Sequence, residues 1–470
     1  MIHNNIKEIV AKYGIKQTLR GFFAVIIYIS WVIWLNNYWF LFGVPIVFDM
    51  YLTKIINWTP WKKREGKSHF LIEWLDAIVY AVIAVSIISI FLFQNYKIPT
   101  SSMENSLLVG DRLYVSKMAY GPRIPQTPLS LPFLQNTIPG TTRKSYLQWI
   151  KWDYKRLKGF KNVERYNPVV FNCPVLDSVT MDNPTFSYSS ELFNMAEMLR
   201  MNELEQKGFA SDDGHYLKLA EKYISNRTKI ITQPVDRRDN YIKRCVGLPG
   251  DSIQLVNSIL YINGKPEKPK PGQLKEYHIT STAPIHKNIQ KRLKIEKDNF
   301  NSQSGNEYDI SLSKEQLETI KKFKSVVDVE LMVRKDHLHF NGTFPNHPDY
   351  NWTIDNFGPI YIPKKGATVN LTFEVLPLYR RIINVYEGNK LEVKDSTIYI
   401  NGKKADSYTF KMNYYWMMGD NRHNSWDSRC WGYVPEDHII GRPRLVWLSI
   451  DKTESFPANI RLKRMFHIVK

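Results

Sequence analysis

Tyr241-Ile-Lys-Arg-Cys-Val-Gly-Leu-Pro-Gly-Asp251 runs directly into Ser252-Ile-Gln-Leu-Val256 and Ser258-Ile-Leu-Tyr-Ile262, and Asn263-Gly264 follows. The short alternation of apolar and polar residues is the period of a half-buried β-strand. Gly247 to Gly250 reads as a turn. Asn-Gly supplies two positions at ease with positive φ, the requirement of a tight hairpin. The same signal returns at Asn401-Gly402. Residues 241–268 align with 379–406 without a gap at an offset of 138, and Tyr261-Ile-Asn-Gly-Lys265 recurs as Tyr399-Ile-Asn-Gly-Lys403. This is the pattern of a duplicated β-unit and predicts superposable hairpins at 253–265 and 391–403. Arg381 stands where the first copy has Lys243. Arginine stays protonated, so the second copy is expected to be structural.

Around these hairpins, the sequence after residue 97 predicts a mostly antiparallel β core, assigned to residues 98–265 and 379–455. Two insertions interrupt it. The first, about 175–233, carries helical patterns at Ser190–Lys207, before Gly208, and at His215–Ile224. The second, 266–378, is a further insertion or non-catalytic subdomain with a helix expected at Ser313–Phe323. Residues 456–470 form a basic tail.

Residues 1–97 read as a membrane region. Ala77–Phe93 holds 17 uncharged residues, the lower limit of a spanning helix, and the helix is placed at about 70–94. Gly21–Leu35 and Tyr38–Val47 are apolar on either side of Asn36-Asn37. Together they are too long for one span, so a helical hairpin at about 20–53 is expected, crossing twice or re-entrant. Lys7, Lys12, Lys16 and Arg20 precede it, and Lys54, Lys62, Lys63, Arg64 and Lys67 follow. By the positive-inside rule both flanks, including the loop 54–69, face the cytoplasm, and everything after about residue 95 lies on the other side.

The chain has 64 Lys+Arg against 45 Asp+Glu, a net charge of +19. The basic residues are scattered, and no nucleic-acid-binding motif gathers them. A solvated basic surface explains most of this charge. Anionic lipid is the specific alternative, for the tail above all. Cys173, Cys245 and Cys430 form neither a disulfide framework nor a metal-ligand spacing. No zinc or phosphate-loop motif is present, so no metal or cofactor is expected.

Ser102 lies in Ile98-Pro-Thr-Ser-Ser-Met-Glu-Asn-Ser-Leu107, nine residues past the apolar run. Nine residues reach at most about 30 Å, so Ser102 stays close to a membrane surface. A serine nucleophile needs a base. Lys243, beside Ile242, Cys245, Val246 and Leu248, is a candidate, because apolar burial brings a lysine to about 7–8. His423, with Asp420 or Asp427, is the alternative.

Taken with Gly110-Asp-Arg-Leu-Tyr-Val-Ser-Lys117 and Gly419-Asp-Asn-Arg-His-Asn-Ser-Trp-Asp-Ser-Arg429, these strings, in this order, resemble the motif boxes of type I signal peptidases. Those are membrane-bound Ser/Lys endopeptidases that remove signal peptides from exported proteins. The resemblance covers roughly 77–121, 167–174, 234–265 and 414–451. It implies Ser102 as nucleophile and Lys243 as general base. The Ser102 N–H and the Thr100 hydroxyl become oxyanion donors, and Ser425 orients the base. Asp420, Asp427, Arg429 and Arg244 shape the site, and Met103 packs near the substrate groove. It also implies preprotein substrates with small residues at −1 and −3, a bilayer and possible export machinery as partners, and a multi-pass place in a bacterial inner membrane. The sequence departs from the pattern at Thr100, Ser101 and His423, where relatives carry Ser, Gly and Asp. Three other readings stay open: a Ser/Lys self-processing regulator, a non-catalytic membrane-anchored assembly protein, and a divergent peptidase whose dedicated substrate is delivered by the insertions.

Overall fold

A computed structural model describes residues 11–469 apart from 59, 61–68, 142, 184–185, 210, 212, 269, 271, 297–298, 304, 335–342, 348 and 453. Helix α1 (Ile15–Leu35) ends at Asn36, which takes the left-handed conformation at φ 49°. The chain then returns through short helical segments over Tyr38–Thr53. Gln17 Nε2 donates to the Leu52 carbonyl at 2.7 Å and Tyr28 Oη to the Phe40 carbonyl at 2.7 Å, closing a hairpin. Helix α2 (Phe70–Phe91) buries none of its side chains in the protein. Both α1 and α2 are long and apolar enough to cross a membrane. Most of the basic loop expected at 54–69 lies outside the described residues.

One residue after α2 the chain turns to β structure. The main sheet contains β1 (Phe93–Lys97), β2 (Asp111–Ser116), β3 (Pro168–Asn172), β4 (Asn240–Gly247), β5 (Tyr414–Met418), β6 (Val434–Pro435), β7 (Ile439–Ser449) and β8 (His467–Ile468). Their spatial order is β1-β2-β7-β3-β4-β5-β6, with β8 beside β7. Every pairing is antiparallel. The fold is thus mostly antiparallel β, as expected. Strand β3 is buried along its whole length, as in a central strand covered on both faces. Val170 enters one core with Ile98, Met103, Leu107 and Leu113. Val169 and Phe171 enter another with Cys245 and Met417.

The paired hairpins keep one register. Ile253 opposes Ile262 and Leu391 opposes Ile400; Ile262 then opposes Lys265 and Ile400 opposes Lys403. Asn263 and Asn401 each fold their side-chain oxygen onto a backbone N–H, of Ser252 and Lys390, at 2.8 Å. Upstream the copies part. Residues 240–247 are strand, whereas Leu376–Arg381 is an α-helix continued by a π-helical turn over Ile382–Tyr386. The aligned residues 379–388 therefore do not repeat the strand that carries Lys243.

Residues 178–232 form a stem of two short strands that carries the packed helices α3 (Tyr188–Lys207) and α4 (Asp213–Arg227). Residues 275–331 build a four-stranded sheet with a helix at Lys314–Ile320, started by a Ser313/Gln316 capping box. Phe357–Tyr361 leaves this unit and pairs with Ser252–Val256. The tail is folded onto the core: β8 joins β7, Val469 is buried, and Arg464 grips both Asp111 oxygens.

Candidate active site

Ser102 sits in a single 3-10 turn, Ser101–Met103, between the edge of β1 and β2. The Ile98 N–H bonds the Asp111 carbonyl at 2.9 Å and the Gly110 N–H bonds the Ile98 carbonyl at 3.0 Å, extending the β1–β2 ladder to the foot of this turn. Met103 points inward and is 1 % exposed, so it serves the core beneath the turn. It was expected beside the substrate groove.

Strand β4 brings Lys243 to Ser102. On one edge β4 pairs β3 from Asn240 to Arg244, but on the other β5 covers only Arg244 to Gly247. The Asn240–Lys243 edge beyond β5 borders a cavity of about 640 Å³ that contains Ser102. Lys243 Nζ lies 2.5 Å from Ser102 Oγ. Burial pulls the Lys243 ammonium down to about 8; Asp427 pulls it back up and Arg429 opposes that. Desolvation penalises the charged form, which is how a lysine becomes able to accept a proton near neutrality.

The loop 419–429, after β5, cradles the nucleophile turn. The Asn421 N–H donates to the Ser102 carbonyl at 3.1 Å, and Asn424 Nδ2 to Ser101 Oγ at 3.1 Å. Gly419 is needed for this approach: a Cβ there would stand 2.6 Å from the Ser102 carbonyl oxygen and 2.2 Å from Ser425 Oγ. Two buried ion pairs hold the loop. Arg244 donates to both Asp420 oxygens at 2.8 and 2.6 Å, and Arg429 to both Asp427 oxygens at 2.9 and 2.8 Å. Burial pushes the Asp427 carboxyl up, but Arg429, with Lys243 and the Gly419 N–H, outweighs it and holds the group below the usual carboxylate range. The remaining Asp427 capacity takes the Gly419 N–H at 3.0 Å. Such forked, fully bonded pairs fix geometry in a way a single contact cannot.

Thr100 lines the cavity and is exposed. Ser425 lines it too, with its Oγ buried and unbonded among the described residues. His423, the alternative base, is buried and partnered elsewhere. Its side chain is 1 % exposed, Nδ1 accepts the Glu276 N–H at 3.1 Å, and Nε2 faces both oxygens of Asp355 at 3.1 Å. Its acid is Asp355, not Asp420 or Asp427, and both ring nitrogens are engaged away from Ser102. Asp355 and Asn299 lie in the second insertion, where no motif marks them. Asn421 and Asn424 lie inside the quoted 419–429 string. Cys430 borders the cavity, and burial pushes its thiol up to about 11. Among the described residues no group of three or more His, Cys, Asp or Glu could hold a metal ion.

A family model described as signal peptidase, peptidase S26, matches residues 71–342 and 405–448. The chain is 22 % identical to signal peptidase I of Buchnera aphidicola subsp. Acyrthosiphon pisum over 407 residues, 86 % of this chain and 83 % of that protein. It is 51 % identical to signal peptidase I of Buchnera aphidicola subsp. Schizaphis graminum over 80 residues, 15 % of this chain and 26 % of the other. With signal peptidase I of Haemophilus influenzae it shares 42 % over 57 residues, 12 % and 16 % of the two chains.

Proposed function

The chain belongs to the signal peptidase family, peptidase S26, and on that premise we propose that Ser102 and Lys243 are the nucleophile and general base with which it cleaves preproteins. It is a serine endopeptidase that removes signal peptides. The observation carrying the dyad is the 2.5 Å approach of a buried lysine to a serine hydroxyl.

In this reading neutral Lys243 takes the Ser102 proton as Oγ attacks the scissile carbonyl carbon. The oxyanion is received by the Ser102 N–H and the Thr100 hydroxyl. Lys243 then gives its proton to the departing amine, leaving an ester on Ser102. Water, deprotonated by Lys243, hydrolyses that ester and restores the site. The role of Ser425 in steadying the lysine rests on the family resemblance and not on a hydrogen bond between them in this structure, and the Arg244–Asp420 and Arg429–Asp427 pairs keep the walls in place without taking part in the chemistry. Substrates carry small residues at −1 and −3.

The enzyme is anchored through residues 1–97, with the 98–265 and 379–455 core outside the cytoplasm against a bacterial inner membrane. The apolar helices α1 and α2 support this placement, as does the single residue separating α2 from β1. Contact with anionic lipid and the export machinery follows from it.

The test is to incubate the detergent-solubilised full chain with a preprotein and sequence the new N-terminus. Cleavage is expected after a small residue, and Ser102→Ala, Lys243→Ala and Lys243→Arg are expected to be inactive but folded. Substantial activity in Lys243→Arg refutes the lysine base.

A further inference from the structure

We propose that the insertion between residues 266 and 356 positions the nucleophile: Asp355, acting through His423, and Asn299, acting through Asn421, hold the 419–429 loop against the backbone of Ser102. This rests on the Ser102/Lys243 reading and assigns the insertion a part in it.

The ties are of three kinds. Backbone bonds join Leu274 to the loop, its N–H to the Asp420 carbonyl at 2.8 Å and its carbonyl to the Arg422 N–H at 3.0 Å. Asn299 Oδ1 accepts from Asn421 Nδ2 at 2.7 Å. His423 is clamped on both sides, by the Glu276 N–H and by Asp355. Asp355 is itself fixed by the Arg334 N–H at 2.9 Å and by the Ser258 hydroxyl. One buried carboxylate thus joins the insertion, the first hairpin unit and the catalytic loop. Its side chain is 1 % exposed. Burial pushes the Asp355 carboxyl up, yet His423, the Ser258 hydroxyl and the Arg334 N–H together outweigh this and hold it at about 2. The acid therefore stays ionised against His423 at neutral pH.

The loop passes this restraint on. Asn421 holds the carbonyl of Ser102 and Asn424 the hydroxyl of Ser101, one on each side of the N–H that would receive the oxyanion. A shift of that N–H by a fraction of an ångström leaves ground-state binding intact and weakens the transition state. Asp355, His423 and Asn299 are in this sense positioning residues. They do not touch the reacting atoms.

The pair His423/Asp355 permits a test by exchange. His423→Asp sets two carboxylates against each other. His423→Asp with Asp355→Asn restores a donor–acceptor pair. The full chain in detergent is assayed on a preprotein peptide, with active sites counted from the first-turnover burst and folding followed by thermal melting. His423→Asp and Asn299→Ala are expected to lower kcat per active site by about 10- to 100-fold, the scale of a small misplacement of a reacting group. KM is expected to stay within about twofold of wild type, because the change falls on the transition state. The double variant and Asn299→Asp, which keeps the acceptor, are expected to recover most of the loss. If His423→Asp does not fold, Asn299→Ala against Asn299→Asp reads the second tie alone. Unchanged kcat per active site in folded variants, or loss without recovery in both conservative partners, overturns the proposal. Ser102→Ala is run in parallel. Full activity there sinks the dyad, whereas a dead Ser102→Ala beside an unaffected Asn299→Ala sinks only the positioning role.

Discussion

Lys243 is costly to the fold and useful to the reaction for one reason. It is 4 % exposed, and burial holds its ammonium at about 8 against 10.5 for a free lysine. The unfolded chain keeps that proton up to 10.5 and the folded chain only up to about 8. Stability therefore rises as pH climbs from 8 to 10.5, and the full penalty, about 3 kcal/mol, stands at pH 7. Replacing Lys243 with Met, similar in length and apolar, is expected to raise stability at pH 7 by about 1–3 kcal/mol in urea titrations while abolishing cleavage. A less stable Lys243→Met would mean that the lysine is held by favourable contacts. The active form is the neutral amine, so kcat/KM is expected to rise with pH and reach half its plateau near 8. An activity that falls between pH 7 and 9 contradicts a lysine base. These two residues were legible because each stands in a string whose composition suits its task. Asp355 was not, because a single Asp in a polar insertion carries no local sign of the histidine that folding brings to it.

Among the elements, the two hairpin units show where reading from sequence holds and where it stops. Asn263-Gly264 and Asn401-Gly402 fix their turns locally, with both residues at positive φ in each, so the registers follow from four residues. Gly264→Ala and Gly402→Ala are each expected to lower stability by about 1 kcal/mol by strain at the turn, with cleavage per folded molecule unchanged. The preceding ten residues were misread because matching letters do not impose matching backbone. Pro377 stands in the first turn of the second copy's helix. Leu376, Tyr379 and Ile383, with Leu378 and Ile382, recur at helical spacing and all enter one core. In that helix Arg381 bonds the Pro174 carbonyl at 3.0 Å, pairs with Asp177 and lies over the Tyr386 ring. It anchors the root of the α3–α4 insertion. Arg381→Ala is expected to cost about 1–2 kcal/mol in denaturation and to leave kcat per active site intact.

At the level of the whole molecule, the membrane reading makes a claim that labelling can check. A cysteine at Lys54 should be reached by an impermeant thiol reagent only from the cytoplasmic side, and one at Ser407 only from the other. The reverse pattern would overturn the proposed orientation. The architecture across the sheet was less legible, since β2 lies between β1 and β7 and the tail closes over β7. Pairings between distant segments leave no local mark. Arg464 reaches Asp111 across 353 positions and also holds the Ser106 carbonyl, four residues past the nucleophile. The order of synthesis gives this contact a further meaning. A ribosome adding about 5–20 residues per second makes Arg464 roughly 20–70 s after Asp111. On the proposed topology, Ser102 crosses the bilayer early and waits there unsheeted, without β7 or the tail beneath it. The protease would come into being only when β7 and β8 have been exported, so the sheet beneath the nucleophile is completed before it can cut anything.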